Sequence, residues 1–206
     1  MLQKYLEALQ RTDCRASSLL DPEAVVERTK LFAFHPVLHQ LGAHVLDDEN
    51  TSNHHFLITA GPLSGSIFFL SHDGDSRVVF SDAANFLRAA CDAEAQGLQA
   101  SDLHPDISPI AANQQSLKDF IETILQGGEC NDLVVSLLPS MELQDQALLR
   151  KLASDSDFFL GEAVALEIEK RPSAALLPIA VLCTEHCHPQ VANAGSRAVQ
   201  RIQQLL

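Results

Sequence analysis

The sequence predicts an α+β fold. It consists of a small antiparallel sheet with flanking helices over residues 1–100, followed by an all-α region of helical hairpins over 116–206. Three observations carry that prediction. Apolar alternation and hairpin signals cluster between His54 and Phe80. From Ser116 onward the β pattern vanishes and apolar residues recur at helical spacing. Within that second stretch the pattern repeats: a shift of 33 residues places Leu149 on Leu182, Phe158 on Val191, Ala165 on Ala198 and Leu166 on Val199.

The elements follow in order. Leu2, Tyr5, Leu6 and Leu9 share one face of an opening helix. Asp21-Pro22-Glu23 starts a second helix, with Asp as N-cap and Pro in the first turn, running to about Phe32 or Phe34. A short strand falls at 43–46. His54–Ala60 alternates as a strand, Gly61–Gly65 turns, Ser66–Ser71 is a second strand, and Asp73-Gly74 marks a hairpin into Arg77–Phe80. Three or four antiparallel strands fit, with one face packed against helices. Ser81-Asp82 caps a helix that carries Phe86, Leu87 and Ala90 on one face. Residues 97–115, with Gly97, Pro105 and Pro109, read as a linker. Beyond it, Ser116 reads as a cap for a helix stopped by Gly127-Gly128, and a short helix follows over 132–138. Two helical pairs come next, 143–153 with 158–170 and 177–185 with 191–205. This pattern resembles HEAT-like repeats.

Charge narrows the function classes. Fourteen Lys and Arg face 27 Asp and Glu, for a net −13, with −7 over residues 1–105 and −6 over 106–206. No basic block exists to release counterions from nucleic acid or to hold an anionic membrane, so neither partner is expected. A basic protein partner suits the charge. The longest near-apolar run, Ala174–Cys183, is half of what a membrane span needs. The charged N-terminal residues read as no signal peptide. Five cysteines, an odd count, read as reduced thiols in a cytoplasmic protein.

Cys183 and Cys187 stand i, i+4, beside His186 and His188, and zinc takes such ligands. The same residues read more simply as the end of an apolar stripe with histidines favoured at a helix C-terminus. His35, His39, His44, His54 and His55 lie close to Asp47, Asp48 and Glu49, but spacing alone also suits exposed loops around a sheet. Asp73-Gly74 fails as a calcium loop, because its twelfth position is Ala84. Gly61–Gly65 lacks the Lys-Ser/Thr of a phosphate-binding loop. No catalytic residue, metal or cofactor is expected. Asp47, Asp48, Glu49, Asp73 and Asp75 all fall in expected turns of the β part, where they would form an acidic rim for a basic partner.

A resemblance sharpens the partner. Gly65, Ile67, Phe68, His72 and Asp73, followed by the strand Arg77–Phe80 and a helix carrying Phe86-Leu87, resemble the strand–turn–strand–helix pattern of the SUKH superfamily. The resemblance spans residues 40–90 closely and 1–95 loosely. It implies an α+β interaction domain and transfers no catalytic residue. Many bacterial members are immunity proteins that neutralise a toxin, often a nuclease or deaminase, and others are regulatory scaffolds. The leading expectation is therefore a non-enzymatic binder of a basic toxin. A regulatory adaptor is the alternative, and a metal protein or enzyme using the histidine-rich strand or Cys183–His188 is the second.

Overall fold

The computed structural model describes residues 1–12, 16–72, 74–128 and 130–205. They form an α+β protein in two compact units, Met1–Phe120 and Ile121–Leu206.

The first unit opens with α1 (Leu2–Arg11), which buries Tyr5 and Leu9. Next comes α2 (Pro22–Leu31), with Pro22 in its first turn where the missing N–H costs nothing. After the short α3 (Pro36–Gln40) come β1 (His44–Val45), β2 (His54–Leu57), β3 (Ile67–Leu70) and β4 (Arg77–Phe80). These pair in sequence order, all antiparallel. Helix α4 (Ala83–Gln96) begins where the Asp82 carboxylate accepts from the Asn85 N–H, and ends at Gly97 in the left-handed conformation (φ 68°).

Both faces of the sheet are buried, not one. Phe56, Phe68 and Val78 lie opposite one another across β2–β4 on one face, with the Phe32 ring edge-on to Phe56 at 5.0 Å. On the other face Leu57, Ile67, Phe69 and Phe80 join Tyr5, Leu9, Phe86, Leu87 and Ala90 in one core. A sheet covered twice has no solvent face to keep polar, which is why Ile67–Leu70 and Val78–Phe80 read as continuous apolar runs.

The stretch expected as a linker folds onto this unit. Ala100–Leu103 forms a 3₁₀ turn, and the guanidinium of Arg77 donates to the Pro105 carbonyl (2.8 Å) and the Ser108 hydroxyl (3.3 Å). Helix α5 (Gln114–Gly127) starts two residues before Ser116, and its cap is Asn113, whose side chain accepts from the Ser116 N–H.

The second unit is helical throughout its described residues: α6 (Asn131–Leu137), α7 (Gln146–Ala153), α8 (Phe158–Lys170), α9 (Leu177–Thr184) and α10 (Pro189–Gln203). Asp145 and Asp157 cap α7 and α8 with their carboxylates. Gly161 on α8 meets Val191 on α10, and Glu169 further along α8 pairs with Arg197 on α10, so these two helices run in the same direction. Gly195 lets α10 close on α9: a Cβ there would stand 2.7 Å from both Cys183 Cβ and the Thr184 backbone N. Among the described residues no helix is long and apolar enough to cross a membrane.

Candidate functional site

In an antiparallel meander alternate connections emerge at one end. The β1–β2 connection and the β3–β4 hairpin therefore share an end of the sheet, and the Asn53 side chain joins them by accepting the His72 N–H at 2.7 Å. The turns that carry the expected acidic residues are thus neighbours. Their carboxylates have separate fates.

Asp47 does not reach the surface. It is 1% exposed. Its Oδ1 accepts the His55 backbone N–H (2.8 Å), and its Oδ2 lies 2.5 Å from His55 Nδ1. His55 is wholly buried, with its ring among Phe69, Phe80 and Phe86. His55 Nε2 then meets His104 Nε2 at 2.7 Å. The chemistry fixes the direction of this chain. A carboxylate only accepts, so His55 carries its proton on Nδ1 and offers a lone pair at Nε2, to which His104 donates from Nε2. Burial above all, with the Arg77 charge adding to it, pushes the His104 pKa down to about 3, which keeps that ring neutral. Exposed histidines decorating loops were expected here; His55 is instead a core residue whose polar atoms are satisfied.

Asp48 forms an ion pair with Arg28, whose hydrogen bond holds the Asp48 carboxyl below its usual range. It also accepts the Asn50 N–H at 3.0 Å. Asn50 is in the left-handed region (φ 58°), a conformation Asn tolerates, and so sharpens this turn. Glu49 accepts the Ala100 N–H at 2.8 Å. Burial raises its pKa, the Ala100 hydrogen bond opposes that, and the nearby Asp47 carboxylate adds to the rise. Asp75 is 75% exposed and lies 3.5 Å from Arg77 Nε. Asp73 lies outside the described residues.

A concave cleft of about 280 Å³ opens beside this turn. Three carboxylates, those of Asp48, Glu49 and Glu94, line it, and among the described residues no Lys or Arg does. Glu94 comes from α4 and accepts both the backbone N–H (3.3 Å) and the hydroxyl (3.0 Å) of Ser17. Such a wall takes a cation. Sequence reasoning missed Glu94, because only the fold brings residue 94 to residues 17 and 49. It missed His104 for the same reason.

The Cys183–His188 cluster does not assemble as its spacing suggested. Helix α9 ends at Thr184, so Cys187 is beyond it and does not share a helical face with Cys183. Cys183 is buried, and burial raises its thiol pKa to about 11, away from the thiolate that a metal binds. Among the described residues no group of three or more His, Cys, Asp or Glu could hold a metal ion. Comparison of the chain with protein-family models, curated proteins and solved structures finds no match.

Proposed function

We propose that the protein is a non-enzymatic binding module that neutralises a basic partner, of the class of a bacterial toxin, through the acidic end of its sheet. The observation that supports this reading is the cleft walled by Asp48, Glu49 and Glu94 without a cation among its described lining residues, on the same end of the fold as exposed Asp75. Burial above all raises the Glu49 pKa, and a partner lysine or arginine entering the cleft would compensate that desolvated carboxylate. The Asp47–His55–His104 chain is read as structural: its buried atoms are spent on one another. Cys130, Cys183 and Cys187 are free thiols, which favours a reducing cytoplasm.

The test is capture of a basic protein on the immobilised chain at about 50 and about 200 mM salt, then kinetics with Glu49→Gln/Glu94→Gln. Both substitutions keep an acceptor oxygen for Ala100 and Ser17 and remove the charges. The reading expects a stoichiometric complex that inhibits the partner's activity, with association slowed at least about tenfold in the double variant. An association rate and salt dependence unchanged in that variant would overturn it.

A further inference from the structure

The second unit carries a site of opposite sign. A groove of about 510 Å³ runs between α8 and α10. Lys170, Arg197 and Arg201 stand on its walls, Leu166 gives it an apolar patch, and Gln200 and Gln204 add amides. In a chain of net charge −13, three of the fourteen cations converge here against one carboxylate among the described lining residues, Glu169. Glu169 already lies on Arg197, with Nε 3.0 and 3.2 Å from its two oxygens. Lys170 reaches Glu167 outside the groove wall at 3.3 Å, and among the described residues Arg201 donates to the neutral Gln204 alone (3.2 Å).

We propose that this groove binds an acidic protein segment in extended conformation, with two carboxylates at alternate positions and an apolar residue at the next. The spacing supports it. Arg197 and Arg201 are one helical turn apart, about 6 Å along α10. Side chains at i and i+2 of an extended chain are about 6.5–7 Å apart on one face. Leu166 lies three residues before Glu169 on α8, and Glu169 is level with Arg197, so the next same-face position of the ligand meets Leu166. From the level of Leu166 to Gln204 the groove is about 15 Å long, room for about five extended residues and not for a long polyanion. The surrounding negative charge also repels nucleic acid, which needs many phosphate contacts in register. Glu169 is then an internal stand-in for the ligand: its carboxylate occupies Arg197 until a partner carboxylate displaces it.

This proposal does not depend on the acidic cleft. The probe is a fluorescein-labelled peptide with the core Leu-Ser-Glu-Ser-Glu between Gly-Ser flanks, titrated by anisotropy against the full chain. The expected result is saturable binding that weakens at least tenfold in Arg201→Glu and strengthens about threefold in Glu169→Gln, which frees Arg197. Unchanged thermal unfolding of both variants secures the comparison, since neither side chain is buried. No binding of the peptide, equal binding of a Leu-Ser-Lys-Ser-Lys peptide, or weaker binding by Glu169→Gln would overturn the proposal. Preference for a single-stranded oligonucleotide over the peptide would overturn it too.

Discussion

Replacing Asp47 tests what the buried chain contributes. Asp47→Ala removes the acceptors of two buried donors, the His55 backbone N–H and His55 Nδ1. Leaving a buried donor unsatisfied costs about 1–3 kcal/mol. The ring can escape by switching its proton to Nε2, provided His104 switches as well, but the backbone N–H has no second choice. The expected loss is therefore about 3 kcal/mol, with one orphaned donor as the floor and two as the ceiling. Asp47→Asn separates the two terms. Its amide oxygen still accepts from the backbone, while its NH₂ faces Nδ1 and forces the tautomers of His55 and His104 to reverse, at about 1 kcal/mol. The chain has one tyrosine and no tryptophan. Tyr5 is in the core of the first unit, so tyrosine fluorescence during urea unfolding reports that unit alone. Imidazole ¹⁵N shifts report the tautomers. The reasoning fails if Asp47→Ala costs under about 1 kcal/mol, or if Asp47→Asn leaves both tautomers as they are.

Two further outcomes follow from the packing. His104 has a folded pKa near 3 against about 6.5 unfolded, so the unfolded chain binds the proton more tightly. Its contribution is complete above about pH 6.5 and is lost as pH falls toward 3; after discounting for partial solvent screening, about 2 kcal/mol should disappear across that window, and His104→Gln should flatten that part of the stability–pH curve. Gly195→Ala places a methyl against the α9 backbone, where nothing flexible can yield. The gain in helix propensity, about 1 kcal/mol, is outweighed, and a net loss of about 2 kcal/mol is expected by calorimetry; a stabilised variant would show that α9 and α10 shift apart freely.

The sequence showed elements well and convergence poorly. Strands β2 to β4 and helix α8 are readable because their signals are local: apolar alternation with a hairpin turn at Gly74, and apolar residues at helical spacing over 158–170. Ser116 was misread as a cap because Asn113, three residues earlier, does the same chemistry. Pro105 and Pro109 suggested a linker, since nothing local reveals that Arg77 reaches across from β4 to hold that segment. The candidate acidic residues showed the same limit. Asp47, Asp48 and Glu49 are consecutive and look equivalent, yet one is buried on a histidine, one paired to Arg28, and one half-buried against Ala100. Their difference lies in residues 55, 28 and 100, which only the fold brings near.

The two charged sites should respond differently to salt, and that difference tests the groove most sharply. A basic partner is attracted both by the whole chain and by the acidic cleft, so salt slows its association and shortens its complex together. An acidic peptide meets opposed fields. At low salt, where the Debye length grows toward about 30 Å, it feels the net −13 from outside the groove and is repelled. Inside the groove it feels Lys170, Arg197 and Arg201. Raising salt from about 20 to about 150 mM should therefore speed its association about two- to threefold while shortening its residence time by more. Stopped-flow anisotropy separates the two rates. Association that slows with salt would mean the peptide is drawn by a broad positive face, which the charge distribution excludes, and the groove would not be its site.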